Sequence, residues 1–323
     1  MEEILIQPDF KTIPWLQQNY QTLIARYSEK TPPHALMIYG KAGIGKVRLT
    51  DALIAGILCR TLQENMPCGT CQSCRWLATY FHPDLYEIKG EGEIKVDEIR
   101  KIHQFAQLTP ETGKKIVVIK HADRMNLNAA NSLLKVLEEP PADLFFILES
   151  SAIEKLPITV RSRCQSYFVE APKRDVALDY LRKMPSNAAL SELDLSFLLS
   201  LSFDAPFVAE DYLQSGYLEK RGPLLGVINA LWQGEVNPSK GVATLLETES
   251  LSFNLLFFLL STSFNPVKVA ELSALSEIFI TLHNIPEKMR LTQYEKVVEI
   301  NRLRQAQTRT DWALEAWFVE FLG

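Results

Sequence analysis

The sequence carries no excess of positive charge: 34 Lys and Arg stand against 39 Asp and Glu, a net charge of −5. A chain that coats nucleic acid or an acidic membrane by bulk charge is thereby excluded, and any such contact has to be local. Long apolar runs are also lacking. The longest, near Leu255–Leu260, falls far short of the roughly 20 residues that span a bilayer. The segment from Met1 to Phe10 has neither the basic nor the apolar region of a signal peptide. Internal repeats, low-complexity stretches, a Ser-His-Asp spacing, an HExxH motif and an aromatic-interleaved basic track for single strands are missing as well. Cysteine is scarce outside one short stretch, where only Cys164 occurs. Reduced cysteines without a targeting signal give a cytoplasmic expectation.

The other four cysteines fall in the pattern Cys59-x8-Cys68-x2-Cys71-x2-Cys74. Four thiolates fill a tetrahedral zinc shell and leave no open position for chemistry, so the spacing points to structural zinc bound by Cys59, Cys68, Cys71 and Cys74. Buried, unrelated thiols packing as small hydrophobes are the plainer alternative. His82 is a substitute ligand if Cys59 proves too distant.

Just upstream, Ala35–Tyr39 is an apolar run ending in Gly40-Lys-Ala-Gly-Ile-Gly-Lys46, and apolar residues recur at helical spacing from Leu49 to Leu58. Strand, glycine loop and helix is the order that aims backbone N–H groups at phosphate. Leu85–Ile88, Lys115–Ile119 and Leu144–Leu148 read as further strands, with helices over 94–105 and 128–138 between them. Pro140-Pro141 ends the second of these. Apolar strands alternating with helices predict a parallel α/β sheet covered on both faces. After about Phe168 the pattern becomes helical: a small unit over 172–206, then segments at Leu224–Trp232, Leu251–Leu260, Val267–Leu282 and Thr292–Arg304.

The phosphate loop is incomplete. Gly40, Gly45 and Lys46 are present, but Val47 stands where a Ser or Thr hydroxyl would hold magnesium. These residues either still cradle phosphate or merely turn the chain. Strand Lys115–Ile119 is followed by Lys120 and His121, where a motor ATPase needs acidic residues; a lysine there repels magnesium. Asp123 is out of step and is expected to cap a turn or the following helix. ATP hydrolysis by the chain itself is therefore not expected.

Asn131-Ser-Leu-Leu-Lys-Val-Leu-Glu-Glu-Pro-Pro141, Leu156-Pro157 and Arg161-Ser-Arg-Cys164, taken with the cysteine module, Phe81-His-Pro-Asp84 and Ile94–Arg100, resemble AAA+ clamp-loader proteins. Most of all they resemble the delta prime family of bacterial DNA polymerase III clamp loaders, specifically through about residues 30–170. The resemblance implies three domains: an AAA+ P-loop-type parallel-sheet domain over 1–168 with a zinc insertion at 59–74, a small helical lid over 169–208 and an all-α collar over 209–323. It implies a ring with delta and gamma or tau subunits that places a sliding clamp on primed DNA for the polymerase core. In that ring this chain is the non-hydrolysing stator, lending Arg163 of Ser162-Arg163-Cys164 in trans to a neighbour's ATP. No sensor arginine appears in Asp204–Phe207, where active relatives would carry one.

Rival readings remain at this point. Arg163 as an ordinary surface salt bridge makes the chain a zinc-stabilised scaffold. An autonomous AAA+ ATPase with a degenerate loop and a zinc-dependent nucleic-acid-binding protein are the others. Arg161 is close enough to Arg163 to need its own test. His82-Pro83-Asp84 reads as a turn, His103 and His121 as structural, and Cys164 as packing. The basic pairs Arg100-Lys101, Lys114-Lys115 and Lys173-Arg174 read as solvated faces.

Overall fold

A computed structural model describes residues 9–29, 31–79, 81–184, 187, 190–247, 252–253, 255–256, 259–260, 286–305 and 310–322. The chain forms two compact units, Met1–Val176 and Ala177–Gly323.

The first unit is built on five parallel strands: β1 (Ala35–Tyr39), β2 (Leu85–Ile88), β3 (Lys115–Ile119), β4 (Leu144–Ser150) and β5 (Gln165–Phe168), in the order β2-β3-β4-β1-β5. Side chains alternate across a strand, and the strand residues divide accordingly between two cores. Leu36, Ile38, Ile116, Val118, Phe145 and Ile147 face a core shared with helices α1 (Pro14–Tyr27), α2 (Lys46–Leu58) and α3 (Gln72–Ala78). Met37, Val117, Ile119, Phe146 and Leu148 face a second core with α4 (Val96–Ala106), α5 (Leu127–Glu138) and α6 (Ile158–Arg161). Both sheet faces are therefore covered, as the continuous apolar strands anticipate. Helices α1 and α2 touch at Gly56, where an added Cβ would lie 2.7 Å from both Ile24 and Tyr20.

Elements of this unit that escape the sequence pattern include the four-residue helix α6. The edge strand β5 has four residues, mostly exposed, so it lacks an apolar signature. Helix α3 is short, and α1 precedes the loop with no motif to flag it.

In the second unit, α7 (Arg174–Lys183) begins just before the boundary and is followed by α8 (Glu192–Leu201), α9 (Pro206–Gln214), α10 (Tyr217–Trp232) and α11 (Pro238–Leu246). Helices α12 (Glu287–Gln305) and α13 (Thr310–Leu322) complete the described residues. Phe253, Leu255, Leu256, Leu259 and Leu260 are helical and buried, which answers to part of the Leu251–Leu260 expectation. The expected helix over 267–282 lies outside the described residues. None of the described helices is long and apolar enough to cross a membrane.

Candidate functional site

The glycine loop leaves the C-terminal end of β1. Gly40 passes so close to the Val169 carbonyl that a Cβ would sit 2.5 Å from its oxygen, and Gly45 has φ 95°, a left-handed conformation that suits glycine. Lys46 opens α2, as a phosphate-loop lysine should, but its ammonium is already used. It donates to the Lys41 carbonyl (2.7 Å) and to Ser151 Oγ (2.9 Å), and the side chain is buried. Burial pushes its pKa below the ordinary lysine value, opposed by the charges of Glu149 and Asp123. One turn beyond Val47, the Thr50 hydroxyl donates to Glu149 Oε2 at 3.2 Å.

Lys120, at the end of β3, lies 3.0 Å from Asp51 Oδ1 on α2 and 2.7 Å from Glu87 Oε1 on β2. All three side chains are at most 19% exposed. Burial works against the ammonium's charge, but Asp51 and Glu87 more than reverse this and hold its pKa above the ordinary lysine range. Asp51 is shifted upward by burial, with Lys120 pulling the other way. Glu149 is pushed up to about 7 by burial, against the pull of Lys46 and Lys120. Sequence reasoning found Lys120 but missed Asp51, Glu87 and Glu149. A single carboxylate inside the apolar run of α2 was the signal for Asp51.

Asp123 does not cap the following helix. It accepts from Ser150 Oγ (2.8 Å) and the Ser151 N–H (3.0 Å), tying the turn after β3 to the end of β4. Asn126 is the cap of α5, accepting from the Ala129 N–H at 2.9 Å.

The four module cysteines come together at the C-terminal end of α2. Their sulfurs all lie within 4.8 Å of one another, with Cys59–Cys71 and Cys68–Cys74 both at 4.0 Å. Four thiolates about 2.3 Å from a zinc ion would stand about 3.8 Å apart, so the donor set fits a tetrahedral ion and is too open for disulfides. The Cys68 and Cys71 N–H groups donate to Cys59 Sγ and Cys68 Sγ, both at 3.3 Å. Hydrogen bonds from the Thr61 hydroxyl and from the Thr70 and Cys71 N–H groups draw the Cys68 thiol down to about 5, while burial raises Cys59 and Cys74. A tight turn at Glu64 and Asn65, both with positive φ, closes a small hairpin, and Tyr20 anchors it by donating to the Asn65 carbonyl at 2.7 Å.

His82 stands outside this cluster. Its Nδ1 accepts from the Asp84 N–H (3.1 Å), so Nε2 carries the proton and donates to Ser73 Oγ at 2.8 Å. Buried Asp84 in turn accepts from the N–H groups of Glu111 and Thr112 and from the Thr112 hydroxyl. The His-Pro-Asp turn is thus a strut between α3, β2 and the loop before β3.

Arg163 follows α6 and precedes β5. Its Nη1 donates to the Thr159 carbonyl (2.9 Å), and its Nη2 lies 2.5 Å from Glu138 Oε1, with the arginine side chain 34% exposed. Sequence reasoning missed Glu138, the last residue of α5. Arg161 Nε is buried without a hydrogen-bond partner among the described residues. Cys164 packs into the second core, and burial pushes its thiol up to about 12. In the register, Gln165 pairs with Leu36, so Arg163 lies at the N-terminal end of the strands while the glycine loop leaves their C-terminal end. From residue 36 to residue 40 the strand rise alone amounts to roughly 13 Å.

A family profile described as "DNA polymerase III, delta subunit" matches residues 15–173. DNA polymerase III subunit delta' of Haemophilus influenzae is 34% identical over 211 residues, 64% of this chain and 63% of that protein. The Pseudomonas aeruginosa subunit delta' is 33% identical over 231 residues, 70% of this chain and 69% of that protein. DNA polymerase III subunit tau of Salmonella typhimurium is 34% identical over 139 residues, 43% of this chain and 22% of that protein. The alignment thus spans less than two thirds of the Haemophilus protein's length. With 33% identity across more than two thirds of both chains in the Pseudomonas alignment, and the same family matched by the profile, the chain belongs to the DNA polymerase III subunit delta' family.

Proposed function

We propose that this chain is the non-hydrolysing stator of a DNA polymerase III clamp loader, assembling with delta and gamma or tau subunits to place a sliding clamp on primed DNA. The observation that carries the non-hydrolysing part is the internal use of both lysines. Lys46 is engaged by the Lys41 carbonyl and Ser151, and Lys120 by Asp51 and Glu87. Phosphoryl transfer needs a lysine free for the β/γ oxygens, a hydroxyl and a carboxylate for magnesium, and a residue to orient water. Here the lysine is engaged, the hydroxyl is Val47, and an ammonium follows β3.

Arg163 is the residue assigned to catalysis, in trans. A fixed guanidinium stabilises charge on a transferring phosphoryl group, and such arginines contribute on the order of 10³-fold or more. The opposite placement of Arg163 and the glycine loop along the strands supports action on a neighbour: the arginine is remote from its own chain's loop. Zinc is assigned to Cys59, Cys68, Cys71 and Cys74 as a structural ion, which when bound cross-links the end of α2 to α3. Residues 169–208 and 209–323 are assigned as lid and collar, the collar helices mediating assembly.

The test is clamp- and DNA-stimulated ATP hydrolysis by a loader reconstituted with this chain, wild type against Arg163→Ala. A large loss of turnover with the complex still assembled is expected. Unchanged turnover would leave the scaffold reading, which the Glu138–Arg163 pair also favours, because ion pairing is the ordinary fate of a surface arginine.

A further inference from the structure

Glu138 and Arg163 do not form an isolated surface pair. Arg163 is held from two sides, by the Glu138 carboxylate at 2.5 Å and by the Thr159 carbonyl at 2.9 Å. Each side is anchored. Glu138 follows Val136 and Leu137, and Thr159 precedes Val160, and these three apolar neighbours are buried in one core with Cys164, the residue after Arg163. A guanidinium has five N–H donors, and two are committed here, so the others remain for an incoming phosphate oxygen. A long arginine chain loses rotamer freedom whenever it is fixed. If it is fixed before the neighbour's nucleotide arrives, that loss does not fall on the transition state. The Glu138 side chain is 49% exposed, so water screens its charge against the phosphate while the short contact persists.

We propose, on the reading of Arg163 given above, that Glu138 is a positioning residue: with the Thr159 carbonyl it holds the guanidinium ready for the neighbouring subunit's phosphoryl group. Its effect runs entirely through Arg163, and it touches no reacting atom. The length and flexibility of lysine at 163 would not restore function, because a compact ammonium cannot engage Glu138, Thr159 and phosphate through one planar fork.

The experiment is steady-state ATP hydrolysis by the reconstituted loader with clamp and primed DNA. It compares wild type, Glu138→Ala, Glu138→Gln, Arg163→Ala and the Glu138→Ala/Arg163→Ala double variant, with assembly checked by size-exclusion chromatography. Glu138→Ala is expected to lower kcat about fivefold with KM for ATP unchanged, the signature of an interaction made for the transition state. Glu138→Gln keeps a carbonyl acceptor and should recover most of the loss. The double variant should be no slower than Arg163→Ala alone, since residues acting through one group are not additive. Wild-type or faster turnover in Glu138→Ala, beside a large loss in Arg163→Ala, would overturn the role of Glu138 and leave the trans arginine standing. A double variant slower than Arg163→Ala would also overturn it, because Glu138 would then act elsewhere. Wild-type turnover in Arg163→Ala would instead sink the reading on which the proposal rests.

Discussion

Replacing Lys120 with methionine keeps most of the side-chain length and removes the charge. Two carboxylates, Asp51 and Glu87, are then left at 10% and 19% side-chain exposure with no cation between them. Breaking one partner out of a buried ion pair costs about 3–5 kcal/mol, because the other charge stays desolvated. Protonation sets a ceiling on that cost. An ordinary aspartate carboxyl has a pKa of 3.8, so protonating Asp51 at pH 7 costs about 4 kcal/mol, at about 1.36 kcal/mol per pH unit. At pH 5 the same ceiling falls to about 1.6 kcal/mol. The sign follows from linkage: a carboxylate with a raised folded pKa favours the native state below its unfolded pKa and loses that contribution as pH rises through the folded value. The deficit of Lys120→Met should therefore be about 3–4 kcal/mol at neutral pH and about 1–2 kcal/mol at pH 5. Two compact units make a single global unfolding curve ambiguous, so the assay is amide exchange of peptides covering β2 and β3, variant against wild type at each pH. Exchange should accelerate on the order of several hundredfold at pH 7 and on the order of tenfold at pH 5. A deficit under about 1 kcal/mol, or one equal at the two pH values, would refute the reasoning that Lys120 compensates buried charge.

Other outcomes follow from the same geometry. Glu149, pushed up to about 7 from the ordinary 4.5, should lose its contribution to stability as pH rises across that interval. The stability of Glu149→Gln relative to wild type should accordingly climb by on the order of 3 kcal/mol between pH 4.5 and pH 8, and a flat difference in amide exchange of peptides covering β4 would count against it. Metal analysis should find about one zinc per chain, released by a strong chelator or by Cys71→Ser. Exchange should then rise in residues 59–79 but not in β1, β3 or β4; a metal-free chain with an ordered insertion would defeat the assignment. His82→Ala should loosen Gln72–Ala78 and quicken zinc release, since Ser73 loses the donor that holds α3; release at the wild-type rate would mean that Ser73 needs no such anchor.

Strands β1, β3 and β4 were legible in the sequence because each is an apolar run bounded by turn residues, whereas edge strand β2 carries Glu87 and is mostly half-buried. The burial of β1, β3 and β4 on both faces is what a parallel sheet requires. The cysteine cluster was legible for a similar reason: metal-ligand spacing is local in sequence, and the sulfurs converge as that spacing anticipates. What the sequence concealed depends on partners far apart in the chain. Asp51, Glu87 and Lys120 meet only after β2 and β3 pair and α2 packs over the sheet. Nothing in the residues around Glu87 marks it as a cation's partner. Glu138 was hidden in the same way, since it reads as one of two glutamates ending a helix until Arg163 folds back beside it. Asp123, expected to cap a turn or the following helix, instead ties the turn after β3 to β4, while the cap of α5 is Asn126.

The two ends of the sheet carry opposite chemistry, and that opposition favours a subunit that works on its neighbour rather than on nucleotide of its own. At the C-terminal end, the charged groups are engaged within the chain: buried Lys46 by a carbonyl and the Ser151 hydroxyl, Lys120 by two carboxylates, and half-buried Asp123 by the Ser150 hydroxyl and the Ser151 N–H. A nucleotide entering there would have to displace interactions that are already desolvated, and the displaced partners would be left unpaired at a cost of about 1–3 kcal/mol each, more for charged groups. At the N-terminal end, Arg163 is held by Glu138 and Thr159 yet remains a third exposed. On the proposed reading, closing the loop end removes a competing use for nucleotide inside the chain, and Arg163, a third exposed, is left for a phosphate presented by another subunit. If soaking with ATP and magnesium instead produced tight binding by the isolated chain, with protection of the Gly40–Lys46 amides, the loop end would be open and this division between the two ends would fail.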